Sequence, residues 1–297
     1  MSAGGMVDFH THVGRMGKDP RQDLDAAELV RKMDRRGIET SIVLPLHDSP
    51  SGWYLRCTTE DVIRETGAFP DRLVPFCQVD PRFGDHSPDT DFRLLLEEYK
   101  ARGCRGMGEV TASLYFDDPM VVNLMRQCGE AGLPVVFHTA HALTGTYGLV
   151  DDPGLPRLER LIRACPGTVF CAHGPAFWSE MGADPDPAVR GGYPKGPIGK
   201  PGRVAALLDA YPNLYGDLSA GSGYNALTRT PEYGLRFLEQ FQDRLLFATD
   251  TLRHDMEDDK VPILALFRDL RWRGLLSEAA YRKITRDNAR RLLALAG

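Results

Sequence analysis

The sequence predicts a closed (β/α)8 barrel, and three observations carry that expectation. Strand-like apolar runs alternate with amphipathic helical stretches eight times along 297 residues. Such alternation argues for a parallel sheet, because each crossover helix returns the chain to the same end of the sheet. Eight units in a chain of this length match a barrel. The first run also leads into "HTHVGRMG", a poor match to the GxGxxG turn expected of a doubly wound nucleotide-binding sheet.

The elements follow in order. The first strand is expected over residues 6–12, followed by the helix "DLDAAELVRKMDRRG" (23–37), which Gly37 closes. The β-branched run "TSIVLPLHD" (40–48) is the second strand, and its helix, "TTEDVIRETGAF" (58–69), opens on Thr58 or Thr59 as a cap. Strands three to six are "RLVPFCQVDP" (72–81), "CRGMGEVTA" (104–112), "LPVVFHTA" (133–140) and "TVFCAHG" (168–174). Their helices lie at 89–103, 118–132, 155–167 and near 202–212. "NLYGDLSA" (213–220) and "RLLFATD" (244–250) are strands seven and eight, with helices near 232–243 and 261–272. A last helical stretch covers 277–296. The whole of 1–297 reads as one domain.

Two loops interrupt this rhythm, 140–154 and 174–201. The second is too long for a plain connector and is expected to cover an active site. Its "GGYPKGPIGKPG" invites a phosphate-loop reading. That reading fails, because the first glycine is missing and Lys200 is followed by proline rather than Ser or Thr.

Apolar residues make up 42% and charged residues 26%, the balance of a globular protein. The formal net charge is -5 with no basic cluster, which argues against nucleic acid as a partner. No apolar run approaches the ~18 residues of a membrane span, and no secretory leader is visible. Six scattered cysteines without a CxxC pair exclude a zinc ribbon and fit a reducing, cytoplasmic compartment.

In a barrel, reactive groups gather at the C-terminal ends of the strands. Those ends carry His10 and His12, Glu109, His138, His173 and Asp250. Side chains alternate along a strand, so His10 and His12 share a face, with Asp8 one layer deeper. Two adjacent imidazoles that were both protonated would repel. A divalent cation between them favours the neutral, ligating form. The spacing therefore suits two ligands of one metal. A shell of histidine and carboxylate without thiols suits zinc, manganese or iron better than magnesium.

The motifs "DFHTH", "LPVVFHT", "CAHG", "RLLFATD" and the closing "ITRDNARRLL" together resemble the amidohydrolase superfamily. More narrowly, they resemble the amidohydrolase-related group that includes aminocarboxymuconate-semialdehyde decarboxylase. The resemblance spans nearly the whole chain. It implies that His10, His12, His138 and Asp250 ligate a first metal, and that His173 binds a second metal or polarises the substrate. "GMGEV" resembles the metal-dependent DNase branch, in which a strand-four glutamate bridges two metals, so Glu109 leaves the count at one or two. The implied cofactor is a divalent metal, Zn2+ first, with Mn2+ or Fe2+ as alternatives. The implied reaction is hydrolysis of an amide, lactone or ester in a small molecule. Asp250 takes the proton of the attacking water, and His173 and the metal polarise the carbonyl. Non-oxidative decarboxylation is the alternative.

Blander readings stand beside each of these. Glu109 could pair with Arg105 or Arg253, and Asp250 could cap a turn. Arg253 is a candidate anchor for an anionic substrate group, or else a solvated loop charge. Phe177 and Trp178 could form an apolar pocket wall or pack the long loop onto the barrel. His47 ends strand two and is expected at the surface after Pro45, and His141 and His254 are loop histidines with a lesser claim on substrate. The expected partner is a small molecule, with neither nucleic acid nor membrane, and self-association as a homodimer is the further expectation.

Overall fold

The structure is a computed structural model that describes residues 5–15, 19–46, 57–183 and 187–295. His47 and the end of the second expected strand lie outside the described residues. Eight parallel strands form the frame: β1 (Met6–Thr11), β2 (Ile38–Val43), β3 (Leu73–Pro75), β4 (Met107–Val110), β5 (Val135–Ala140), β6 (Phe170–His173), β7 (Leu214–Asp217) and β8 (Leu245–Leu246). Ladders join β1 to β2 to β3, and β4 to β5 to β6 to β7 to β8.

Two seams complete the ring. Between β3 and β4, Cys77 N–H donates to Gly106 O at 3.0 Å and Gly108 N–H to Cys77 O at 2.8 Å. Between β8 and β1, Phe9 N–H donates to Phe247 O (3.0 Å), Asp250 N–H to His10 O (2.9 Å) and His12 N–H to Thr251 O (2.9 Å). The strand order is thus sequential around a TIM barrel. Among the described residues no helix is long and apolar enough to cross a membrane.

Helix ends follow their local chemistry. The Asp25 side chain accepts from Glu28 N–H to start Ala26–Arg36, and Gly37 ends it in the left-handed region at φ 71°. Thr58, rather than Thr59, caps Thr59–Thr66 through a reciprocal box with Asp61. The "ITRDNARRLL" segment braces the shortest strand. Asn288 Nδ2 donates to Leu245 O (2.9 Å) and Gln242 O (2.7 Å), and Phe247 N–H donates to Ile284 O (2.9 Å).

Three departures from the expected elements appear. The fourth strand breaks at Thr111 into β4 and a short strand Ala112–Tyr115, which pairs with Gly148–Val150 in the first long loop. The second loop contains the helical turn Pro175–Trp178. A further helix, Ala220–Thr228, follows β7 directly.

The site rests on an apolar layer. Val136, Cys171 and Tyr215 lie two residues before His138, His173 and Asp217, and share one buried cluster with Leu246 and Ala248. All six cysteines are buried free thiols.

Gly108 is required where it stands. Its φ is 136°, and a Cβ there would meet the Val136 carbonyl oxygen at 2.3 Å. Gly108→Ala is expected to lower stability by ~1–3 kcal/mol, read as a shift in the urea midpoint.

Candidate metal centre

His10 on β1 and His12, just past its end, have Nε2 atoms 3.0 Å apart. Their other ring nitrogens are engaged. His10 Nδ1 meets Asp217 Oδ2 at 2.6 Å, and His12 Nδ1 donates to Leu44 O at 2.7 Å. A carbonyl oxygen can only accept, so His12 carries its proton on Nδ1 and turns a lone pair at Nε2 toward His10. Asp217, an ionised acceptor, asks the same of His10. Two facing lone pairs at this distance are stable only with a positive charge beside them.

Two more carboxylates, Asp250 and Glu109, add to that demand. Asp250 Oδ1 lies 3.4 Å from His12 Nε2 and 3.9 Å from His10 Nε2. Glu109 Oε2 lies 3.6 and 3.8 Å from the same two nitrogens. Glu109 Oε1 faces the other way, 2.8 Å from His138 Nδ1 and 3.8 Å from His173 Nε2. The ligand-capable atoms of His10, His12 and Asp250 lie within 4.8 Å of one another, and so do those of Glu109, His138 and His173. Four imidazoles and three carboxylates, of which Glu109 and Asp217 are buried, are a donor set that fits divalent cations.

A proton can supply that charge in place of a cation, by converting His10 to an imidazolium whose Nε2–H points at His12 Nε2. Burial alone would lower the His10 pKa, but Asp217 and Glu109 outweigh it and hold the imidazole well above its ordinary value. Burial likewise opposes ionisation of Glu109, yet its contacts with His10 and His138 hold it well below the usual carboxylate range. Asp217 and Asp250 are lowered despite burial, by His10 and by His12 with His10 respectively. His173 is depressed to about 4, first by burial and then by the charge of His10.

The structure brings all six strand-end residues together, with one change of grouping. His138 clusters with Glu109 and His173 rather than with His10, His12 and Asp250. Glu109 pairs with histidines, not with Arg105 or Arg253. Asp250 adopts φ 57°, unusual outside glycine. Its flanking threonines hold it there: Thr249 donates through N–H and Oγ1 to Asp8 at 2.9 and 2.6 Å, and Thr251 Oγ1 accepts from Arg36 at 2.8 Å.

Three other candidates stand elsewhere. Phe177 and Trp178 are 0% and 1% exposed and belong to the main hydrophobic core. They pack the loop onto the barrel, and Trp178 Nε1 donates to Asp217 O at 2.9 Å. Arg253 is 38% exposed and paired with Asp255 at 3.0 Å.

A cavity of about 190 Å3 opens beside the cluster, lined by His138, His173 and Asp250 together with His141, Tyr147 and Tyr193. Thr139 and Ser222 also line it, and their buried hydroxyls have no partner. No lysine or arginine lines it among the described residues.

Asp217 and Ser219 escaped the sequence reading. Asp217 gave the same signal as its neighbours, a carboxylate at a barrel strand's C-terminal end. Ser219, whose Oγ lies 2.8 Å from His173 Nδ1, gave none.

The chain matches the family model described as Amidohydrolase over residues 7–295. It belongs to the amidohydrolase family. Solved structures agree on the fold of this family member. An uncharacterized TIM-barrel protein from Bordetella bronchiseptica is 18% identical, with TM-score 0.62 over 97% of this chain and 98% of the other. A probable 2-pyrone-4,6-dicarboxylic acid hydrolase from Acinetobacter baumannii, with citric acid bound, is 13% identical, with TM-score 0.62 over 98% and 100%. A 2,6-dihydroxybenzoate decarboxylase from Rhizobium is 18% identical, with TM-score 0.62 over 99% of both chains. No curated protein matches the sequence. The neighbours on this fold thus include both a hydrolase and a decarboxylase.

Two outcomes are expected. Asp217→Asn loosens the His10 ring and lowers metal affinity ~10–100-fold, measured by competition with a chromophoric chelator. In metal-free protein the His173 imidazole stays neutral until the pH falls to about 4, read by NMR titration of its ring protons.

Proposed function

We propose that this amidohydrolase is a metal-dependent hydrolase that holds two divalent cations, Zn2+ in first place, and cleaves an amide, lactone or ester bond of a small molecule. One observation carries the reading: Glu109 sends one carboxylate oxygen to each histidine cluster. His10, His12 and Asp250 would hold one cation, His138 and His173 the other, with Glu109 between them.

When bound, such cations lower the pKa of water toward ~7 and polarise a carbonyl. The remaining roles fall to the chain. Asp250 is the most exposed carboxylate of the cluster, at 19%, and lines the cavity. Its ionised oxygen takes the proton from the attacking water and returns it to the leaving nitrogen or oxygen as the carbonyl–heteroatom bond breaks. Asp217 and the Leu44 carbonyl keep His10 and His12 in the tautomers that leave Nε2 free. The unpartnered hydroxyls of Thr139 and Ser222 offer hydrogen bonds to an uncharged polar group.

Decarboxylation asks for a cation to anchor the departing carboxylate. Arg253, its candidate, is turned to Asp255, and the cavity's described lining holds no other. That favours hydrolysis.

Metal analysis of the purified protein is expected to give two equivalents, and one in Glu109→Gln. One equivalent in both proteins, with carbon dioxide released and no oxygen taken from labelled water, would replace this reading by decarboxylation. Asp250→Asn is expected to lower kcat by ~10²–10⁴-fold in steady-state assays of metal-loaded enzyme.

A further inference from the structure

A second, larger cavity of about 690 Å3 adjoins the catalytic one, and Tyr193 lines both. Lys195, Lys200 and Arg229 converge on it, and no Asp or Glu lines it among the described residues. The two lysines come from "GGYPKGPIGKPG", the loop that lacks the first glycine and the Ser or Thr of a phosphate-binding motif.

These cations lack the carboxylate partners that many other basic residues of the chain have. No ion pair joins Lys195, Lys200 or Arg229 to a carboxylate among the described residues, whereas Arg190, ten residues past Glu180 in the same loop, pairs with it at 3.0 Å. Arg229 is half-buried at the end of helix Ala220–Thr228. Among the described residues, its Nη2 reaches only the Ser179 carbonyl, at 3.3 Å, and its Nε is buried without a partner. A buried guanidinium N–H left unpaired is costly, and an oxyanion satisfies it better than any neutral group.

We propose that this groove binds the anionic tail of the substrate, a carboxylate or a phosphate, while the uncharged scissile bond lies beyond Tyr193 at the metal centre. The placement of the scissile bond rests on the hydrolase reading. The recognition of an oxyanion by Arg229 and the two lysines does not. The division of labour follows from the two linings, one rich in hydroxyls and imidazoles, the other cationic. The groove then holds the tail alike before and during the reaction, so it contributes uniform binding.

Calorimetric titration of the metal-loaded protein with inorganic phosphate, and separately with succinate, tests this. Saturable binding of one or both is expected, and the stronger ligand names the source of the oxyanion. Affinity is expected to fall about tenfold in Arg229→Gln. The Lys195→Gln/Lys200→Gln double variant, altered only at exposed positions, should show the same direction and answers for the groove if Arg229→Gln fails to fold. Asp250→Asn should bind as the parent does. Equal affinity in the parent and both groove variants, no saturable binding of either anion, or loss of binding in Asp250→Asn would overturn the proposal. On a hydrolysed substrate with an anionic tail, the groove variants are expected to raise KM and leave kcat unchanged, with no effect on its neutral analogue. Groove-dependent binding in a protein without hydrolytic activity would remove the hydrolase reading and leave the anion groove standing.

Discussion

The hydrogen bond between His10 and Asp217 spans the barrel mouth from β1 to β7, and the polar centre is organised around it. It fixes which nitrogen of His10 is protonated, and so where the free lone pair points. It also lets a carboxylate stay ionised with no exposure to water, because the imidazole compensates the lost hydration. Trp178 reaches the same residue from the loop after β6, through the Asp217 carbonyl. Without this pairing the close approach of His10 and His12 would lose its geometric basis.

Much of the architecture was legible because alternation is a long-range signal. A misplaced boundary in one unit does not disturb the count of eight. The elements that escaped are those with weak periodicity. The helix Ala220–Thr228, "AGSGYNALT", is small and polar, with no apolar stripe to mark it. The strand Gly148–Val150 has three residues and reads as loop. Strand eight reads as seven residues in the sequence, yet its regular ladder has two. Residues beyond it keep the extended seam with β1 and then turn left-handed at Asp250, a change that no composition rule announces.

The site divides along the same line. The strand-end histidines and acids are brought together because their positions are set by the barrel, which the sequence pattern encodes. Asp217 was readable by that logic, but "NLYGDLSA" carries no histidine beside it to mark the carboxylate as part of a site. The loop residues fared differently. Arg253 satisfies its charge with Asp255 two residues on, a local pairing that spacing alone does not select from many. Phe177 and Trp178 follow a catalytic-looking histidine but are drawn into the core by their large apolar area. Loop side chains answer to local competition for partners, and that competition has no sequence period.

The seam between β8 and β1 has a consequence for assembly. His10 and His12 belong to the first strand made, while Asp250 belongs to the last and depends on Ile284 and Asn288 behind it to hold that strand in place. The three side chains of one cluster therefore meet only after nearly the whole polypeptide has left the ribosome. Until then the early histidines face one another without their acidic counterpart. Capture of a cation by the full triad thus reports a finished ring, and any partly assembled barrel is a poorer chelator than the native one.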